Sequence, residues 1–299
     1  MTIVHGTILG GLSTVPSLEL GIRAYRDVLG LCLEEQGLLS SALARSWGCA
    51  ASAGLPYAAL RPQSGEPCWL RLVEQAPHAG FRPTTTFGWA AFELTVEDVW
   101  RWPDALPPDL FTVVGQPRTL ENMEPAFIPM QVLGPGGEML YLNQVLRDMP
   151  GSDLPRARSP VDRIFICVLA ARDRESSVRW YIERLGLDRG ADFTIPYSMI
   201  NKAFGLRLDT QTTLTMVSSG RLPVVEVDDY PPAARERARH DGHLPPGNAL
   251  VTLAVRDLAA CAIEWIAPPA YHAGAMYAGR KAGTAVGAAG ELVELVETG

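Results

Sequence analysis

The stretch GAAGELVELVE, Gly287 to Glu297, decides how the rest of the sequence is interpreted. Its apolar residues follow a glycine-rich turn and are typical of a β-strand, in which side chains two positions apart share a face. Glu294 then lies on one face with Leu292 and Val296. A carboxylate among apolar neighbours needs a hydrogen-bonding partner, a counter-charge or a metal ion. The question is what Glu294 faces.

The sequence contains an internal repeat. GPGGEMLYLNQV, Gly134 to Val145, resembles GAAGELVELVET, Gly287 to Thr298, and AYRDVLGLCLE, Ala24 to Glu34, resembles WYIERLGLDRG, Trp180 to Gly190. Each member of the second pair carries a tyrosine four residues before Leu-Gly-Leu, and these tyrosines are 156 positions apart. A repeat at about half the chain length predicts two homologous domains.

The composition of the joining segments places the domain boundaries. Asp148–Pro160 is rich in proline and polar residues and is typical of a linker, which predicts an N-terminal domain over 1–150 and a C-terminal domain over 161–299. A second such segment, Asp228–Gly247, divides the C-terminal half again.

The third quarter shows the unit that the four quarters share. VDRIFICVLA predicts a strand, SSVRWYIERLG predicts a helix ended by glycine, and YSMINKAFGLR, QTTLTMVSS and PVVEVDD predict three further strands. In the fourth quarter NALVTLAV and ELVELVE are predicted strands and LAACAIEWIA a predicted helix. The fold class predicted is α+β, with four βαβββ modules in two tandem domains.

The overall composition excludes several classes of protein. The 299 residues carry a net charge of −7 without a basic run, which argues against a nucleic-acid partner. No apolar stretch is long enough for a membrane span, and the first residues lack the features of a signal peptide. The five cysteines form no CxxC pair. We therefore expect a cytoplasmic protein, with a homodimer left open.

The repeat and the four modules resemble the vicinal oxygen chelate superfamily, which includes glyoxalase I, bleomycin-resistance proteins and extradiol ring-cleaving dioxygenases. The resemblance implies that two modules curl into a cup. In this family the cup usually holds a divalent metal on two histidines and one glutamate, which suits ions such as Fe²⁺, Mn²⁺, Ni²⁺ and Zn²⁺. The metal polarises two adjacent oxygen atoms of the substrate.

The ligand positions implied by the resemblance are only partly filled. In the C-terminal half Glu294 matches the last-strand ligand, whereas the first-strand positions fall at Arg163 and near Leu250. In the N-terminal half His5 matches one position, and Tyr141 takes the place of the glutamate. His5 and Glu294 are thus remnants of a degenerate metal site. No cofactor is expected, and a divalent metal held by other ligands is the alternative.

Several residues are then candidates for metal-free chemistry. Arg163 is predicted to share a cup with Glu294, either as a structural ion pair or as an anchor for a substrate oxygen beside a glutamate that moves protons. Tyr197 is a candidate acid or oxyanion donor, and the alternative is a core tyrosine. His272 is a candidate general base or an exposed loop histidine.

The remaining candidates for substrate binding lie in two loops. Tyr277 and Arg280 follow His272 in a loop that is predicted to cover the mouth of the cup. His243 stands with His240 in an H-x-x-H pattern between Gly and Pro residues, which favours a solvated linker or a mobile cover.

Three functions remain compatible with the sequence. The first is an enzyme of lyase or isomerase type that acts on a small apolar or aromatic oxygenated compound. The second is a binding protein that sequesters a small molecule. The third is a metal-dependent extradiol-type dioxygenase with loop ligands such as His243 or His272.

Overall fold

The computed structural model describes residues 3–119 and 125–299. Its sixteen strands and five short α-helices alternate in four similar modules. The strands are β1 Ile8–Val15, β2 Cys32–Leu38, β3 Pro56–Arg61, β4 Trp69–Glu74, β5 Gly88–Val96, β6 Thr112–Gly115, β7 Phe127–Leu133, β8 Met139–Val145, β9 Val161–Ala171, β10 Asp188–Pro196, β11 Gln211–Ser219, β12 Leu222–Asp229, β13 Asn248–Val255, β14 Ala270–Tyr271, β15 Lys281–Val286 and β16 Leu292–Glu297. The helices are α1 Leu18–Ile22, continued by a π-helical turn over Arg23–Val28, α2 Ser41–Ser46, α3 Trp102–Ala105, α4 Arg174–Leu185 and α5 Ser198–Ala203.

The strands form two eight-stranded sheets. Each sheet combines one module of the N-terminal half with one module of the C-terminal half. The first sheet has the order β14-β15-β16-β13-β1-β4-β3-β2 and joins the first module to the fourth. The second has the order β10-β11-β12-β9-β5-β8-β7-β6 and joins the second module to the third. The predicted α+β class with four strand-rich modules is confirmed. The expectation that the two modules of one half share a cup is wrong. The boundary at 150–161 between two homologous halves stays a prediction.

Most predicted elements are found, and two differ from the prediction. The strands at β9, β11, β12, β13 and β16 are present, and α4 ends at Gly186, which has a φ of 67°. YSMINKAFGLR contains α5 rather than a strand, because its apolar side chains Met199 and Ile200 both turn toward one buried face. LAACAIEWIA contains only a 3₁₀ turn over Leu258–Ala260 before an irregular segment. No helix in the described ranges is long and apolar enough to cross a membrane.

Each sheet has one face in a shared central core and one face in its own cup. The central core packs α1 and α4 with apolar residues of both sheets, such as Leu72, Phe92 and Val251. The first cup is the opposite face of the first sheet, covered by α2 and Trp47. The second cup is the opposite face of the second sheet, covered by α5. The polar side chains on these two cup faces are the candidates for function.

Two tyrosine–glutamate contacts tie the sheets together and explain the repeat. The Tyr25 hydroxyl donates to Glu138 Oε1 at 2.9 Å, from the first module to the second. The Tyr181 hydroxyl donates to Glu291 Oε1 at 2.8 Å, from the third module to the fourth. Both pairs are buried. The repeated helix motif and the repeated turn motif therefore meet in space, and each pair bridges the two sheets.

Close packing between the sheets predicts the effect of one substitution. A methyl group at Gly11 of β1 would lie 2.5 Å from the Phe92 ring of β5. We expect Gly11→Ala to lower the free energy of unfolding by about 1–3 kcal/mol, the usual cost of overpacking. Gly37→Ala is the matched control, because that strand glycine has nothing within 4 Å. Urea unfolding of both variants tests this, and equal stabilities would contradict the packing argument.

Candidate functional site

The first cup answers the question raised by Glu294. This carboxylate is 1% exposed and pairs with Arg71 of β4, which is fully buried, at 3.0 Å between Oε2 and Nη2. Glu294 Oε1 accepts hydrogen bonds of 2.8 Å from Trp47 Nε1 and from the Tyr277 hydroxyl. Glu294 Oε2 accepts a 2.6 Å bond from Thr252 Oγ1. The counter-charge thus comes from the first module.

The network around this ion pair is nearly closed on itself. Arg71 also donates to the Tyr277 hydroxyl at 3.1 Å and to Thr252 Oγ1 at 2.5 Å, and its guanidinium lies 5.2 Å from the centre of the Trp47 ring. Burial opposes ionisation of Glu294, yet the charge of Arg71 and the donated hydrogen bonds hold its pKa below the ordinary value. Glu294 is therefore a fixed anion and is not poised to exchange a proton.

Arg163 does not take part in this cup. It lies on β9 of the second sheet and pairs through Nη1 with Glu66 Oε1 at 2.7 Å. The predicted contact between Arg163 and Glu294 is therefore wrong, because the modules pair differently from the order assumed. The ion pair in the first cup is instead the one between Glu294 and Arg71, a residue that the sequence analysis did not consider.

The loop from His272 to Arg280 covers the first cup, as predicted. The Tyr277 side chain is buried and belongs to the Glu294 network. The Arg280 guanidinium donates to the carbonyls of Met276 and Tyr277 at 2.6 and 2.8 Å, which closes the loop on itself. His272 stacks 5.4 Å from the Tyr277 ring, and burial lowers its pKa although Glu294 opposes the shift. These residues cover the network, in which Arg71 Nε and His272 Nε2 are left without a hydrogen-bond partner.

The other histidines lie outside both cups. His5 precedes β1 in a turn, where its Nε2 is 2.6 Å from the Leu185 carbonyl. It is therefore not at the first-strand position inferred for a ligand. His243 contacts the Asp241 carbonyl through Nδ1 at 3.0 Å, and its ring centre is 5.9 Å from that of His240. The linker interpretation fits this placement better than a cover over the cup.

The second cup carries an unbalanced group of carboxylates. Glu93 of β5 and Asp228 of β12 are 4% and 1% exposed, and Glu226 of β12 is partly exposed. Asn143 Nδ2 donates to Glu93 Oε2 at 2.7 Å. None of the three acids forms an ion pair within residues 3–119 and 125–299. The cup therefore contains three carboxyl groups without a protein counter-charge in the described ranges.

Hydrogen bonds give two of these acids different roles. Asp228 shares a hydrogen bond with Glu226, which raises the pKa of Asp228 further beyond the effect of burial and favours the ionised form of Glu226. The Tyr197 hydroxyl donates to Glu226 Oε1 at 3.0 Å. Burial nevertheless keeps the pKa of Glu226 above its ordinary value. Burial and the charge of Glu226 raise the pKa of Glu93 as well. Glu226 is thus an accessible base and Asp228 a retained acid.

Tyr197 is the one predicted catalytic residue that lies in this cup. It caps the start of α5 rather than lying on a strand, and its hydroxyl is 3.2 Å from that of Tyr141. Apolar side chains complete the lining of the cup: Ala91, Met139, Val168, Met199, Leu214 and Met216. The arrangement places a hydroxyl pair beside a carboxylate at the edge of an apolar surface, which is suited to proton transfer on a small organic molecule.

The usual metal ligands of this fold are not reproduced. In the first cup the guanidinium of Arg71 touches Glu294, where a cation would have to bind. In the second cup the polar groups that the described residues supply are carboxyl, hydroxyl and amide groups. Among residues 3–119 and 125–299 no three His, Cys, Asp or Glu side chains are grouped so that they could hold a metal ion. The residues present therefore do not fit a His/His/Glu centre.

Sequence analysis missed Arg71, Glu93, Glu226 and Asp228. The signal that singled out Glu294 was present in each case: a charged residue inside an apolar strand, as in WLRLV, AAFELTV and VVEVDD. A search for every such residue would have found them without any assumption about ligand positions. The pairing of modules was needed to decide which of them meet.

Comparison with known proteins supports the fold. No family model matches the sequence, and no curated protein matches it. Glyoxalase I from Zea mays is 16% identical, with 97% of this chain and 92% of that chain covered at a TM-score of 0.61. A point mutant of the maize enzyme gives 17% identity, 97% and 92% coverage and a TM-score of 0.62. A protein from Bacillus subtilis named as a candidate dioxygenase is 12% identical, with 99% and 86% covered and a TM-score of 0.61. The chain has the tandem glyoxalase-like fold.

Proposed function

We propose that the second cup is the working site of an enzyme of lyase or isomerase type, which acts by proton transfer on a small apolar or aromatic oxygenated compound. The observation that carries the proposal is the partly exposed Glu226 carboxylate, hydrogen-bonded by the Tyr197 hydroxyl and by Asp228. The fold shared with glyoxalase I supports a site in the cup. The closed ion-pair network makes the first cup a scaffold.

The proposed mechanism uses the chain's own side chains. Glu226 removes a proton from the carbon beside a substrate carbonyl group, and the electron pair moves onto the carbonyl oxygen. The Tyr141 hydroxyl, 3.2 Å from that of Tyr197, supplies a hydrogen bond to the developing oxyanion, while the Tyr197 hydroxyl continues to donate to Glu226. Glu226 then returns the proton to the same or a neighbouring carbon. The raised pKa of Glu226 suits it to this task, because a base works best when its pKa approaches the working pH.

Proton exchange tests this proposal without knowledge of the natural substrate. A panel of aryl ketones and hydroxyketones in D₂O is followed by NMR for deuterium incorporation beside the carbonyl group. We expect Glu226→Gln to lower the exchange rate on an active compound by about 100-fold, a typical contribution of a general base. Asp229→Asn is the matched control, because Asp229 is the exposed last residue of the same strand. Undiminished exchange in Glu226→Gln would refute the assignment.

Sequestration of a small molecule is the second candidate. It is supported by three methionines, Met139, Met199 and Met216, on the wall of the cup, because methionine adapts to ligands of different shape. A ligand that raises the melting temperature of the wild type and of Glu226→Gln equally, with no exchange in either protein, would favour this role.

A further inference from the structure

The pairing of strands lets the two cups be compared position by position. In the first sheet Leu12 of β1 is opposite Arg71, and Gly10 is opposite Thr252. Thr252 is in turn opposite Glu294. Side chains directly opposite each other share a face of the sheet. The polar floor of the first cup is therefore a guanidinium, a hydroxyl and a carboxylate side by side.

The repeat offset of 156 identifies the matching positions in the second sheet. Leu12 corresponds to Val168 of β9, which is opposite Glu226. Gly10 corresponds to Ile166, which is opposite Glu93, and Glu93 is opposite Tyr141. The three pairings agree with one another. The floor of the second cup is therefore a carboxylate, a second carboxylate and a phenol.

At the position of Arg71 the second cup carries a carboxyl group instead of a guanidinium. Glu226 takes the position of Arg71, and Glu93 takes the position of Thr252. Asp228 adds a third carboxyl group two residues along β12. Arg237 lies at the edge of this cup. Its charge lowers the pKa of Tyr230 rather than the pKa of the acids. It donates instead to the carbonyls of Trp89 and Asn248, at 2.7 Å each.

Two buried acceptor atoms remain free beside the acids. Asn143, which is fully buried, uses its amide nitrogen on Glu93 Oε2 and leaves Oδ1 without a partner. Asp228 Oδ1 also lacks a partner. Buried acceptors of this kind are usually satisfied, so each unpaired one needs an explanation. Asn143 Oδ1 and Asp228 Oδ1 are therefore acceptors that a ligand with donor groups would satisfy.

We propose that the second cup recognises a substrate that carries a cationic nitrogen, an ammonium or guanidinium group, at the position that the Arg71 guanidinium occupies in the first cup. This inference rests on the proposed function and names its substrate class. Glu226 supplies the counter-charge, Asn143 Oδ1 accepts a donated hydrogen, and Tyr141 and Tyr197 offer aromatic faces to the cation. The first cup shows the same combination, with Trp47 beside Arg71.

Binding of simple probes tests the inference. Benzylammonium and methylguanidinium chlorides are titrated into the full-length protein and followed by NMR, with benzyl alcohol and benzoate as neutral and anionic controls at the same ionic strength. We expect saturable one-to-one binding of the cations, with affinity that rises as the pH is raised and the acids ionise. Affinity should fall by at least about tenfold in Glu226→Gln, as for the loss of a close charge partner. Asp229→Asn should bind normally. Equal binding of benzyl alcohol, or undiminished cation binding in Glu226→Gln, would overturn the inference.

A second variant keeps the test informative if Glu226→Gln folds poorly. Glu226→Arg restores the guanidinium of the first cup beside Asp228 and Glu93. It should abolish cation binding and raise the melting temperature, and continued binding of benzylammonium would overturn the inference.

The proposed function and the substrate class can fail separately. Glu226-dependent exchange on neutral ketones with no cation binding refutes only the substrate class. Cation binding with no exchange on aminoketones refutes only the catalysis.

Discussion

Replacing Arg71 with methionine is expected to lower the free energy of unfolding by about 3–5 kcal/mol, the usual cost of removing one partner of a buried ion pair. Arg71 is fully buried and Glu294 is 1% exposed, so neither water nor a flexible neighbour can compensate the remaining carboxylate. Methionine has a similar length to the apolar part of arginine, which limits the cavity term. The loss of stability therefore measures mainly the effect of the unpaired Glu294 charge.

The double variant Arg71→Met with Glu294→Gln separates charge from packing. The glutamine oxygen can still accept hydrogen bonds from Trp47 and Tyr277, while both charges are gone. We expect the double variant to be more stable than Arg71→Met alone, with a coupling energy of about 1–3 kcal/mol. Urea unfolding at pH 7 measures all four proteins of the cycle.

A surface pair provides the control, and pH provides a second measurement. Arg207→Met removes an ion pair with Asp209 in which the arginine is 85% exposed, and it should leave the stability essentially unchanged. In Arg71→Met the unpaired Glu294 becomes easier to protonate, so the defect should shrink as the pH falls from 8 to 5. A defect that is small at pH 8, or that grows in acid, would contradict the ion-pair assignment.

The sequence predicts the fold well because the fold depends on local patterns. The apolar strands, the glycine that ends α4 and the two repeated motifs are each contained in a dozen residues or fewer. The position of Glu294 inside an apolar strand also predicts its burial. These features needed no knowledge of which strands become neighbours.

The candidate site was predicted less well because it depends on long-range pairing. Arg71 and Glu294 lie in modules that are first and fourth along the chain, and the sequence contains no signal that favours this pairing over one between the two modules of the same half. The same error placed Arg163 beside Glu294 and drew attention away from Glu226. Tyr197 was identified as a candidate because of its residue type, and the helix that positions it was missed.

The repeated tyrosine–glutamate pairs predict the pH dependence of stability. Burial raises the pKa of Glu138 to about 7 and that of Glu291 to about 7, against an ordinary value of 4.5. A carboxyl group with a raised pKa binds its proton more tightly in the folded state. Its contribution to stability is complete below about pH 4.5 and is lost as the pH rises through about 7.

We therefore expect the free energy of unfolding to fall as the pH rises from 4.5 to 8, by roughly 3 kcal/mol for each of the two glutamates, since one pKa unit corresponds to about 1.4 kcal/mol. Urea unfolding at a series of pH values measures the slope. The double variant Glu138→Gln with Glu291→Gln should lose most of it, because an amide does not titrate. Glu19→Gln, at an exposed helical position, should leave the slope unchanged.

The difference between the wild type and the double variant isolates these two groups from the other acids. Glu93, Glu226 and Asp228 also have raised pKa values, so they add to the fall in both proteins and cancel in the comparison. The lowered pKa of Glu294 acts in the opposite direction and in more acidic solution. Glu138 and Glu291 each accept a hydrogen bond from a tyrosine in a module of the other sheet. The protonation of these two glutamates therefore affects the contact between the sheets. Equal slopes in the two proteins would contradict this assignment, because the two glutamates would then be ionised in the folded protein.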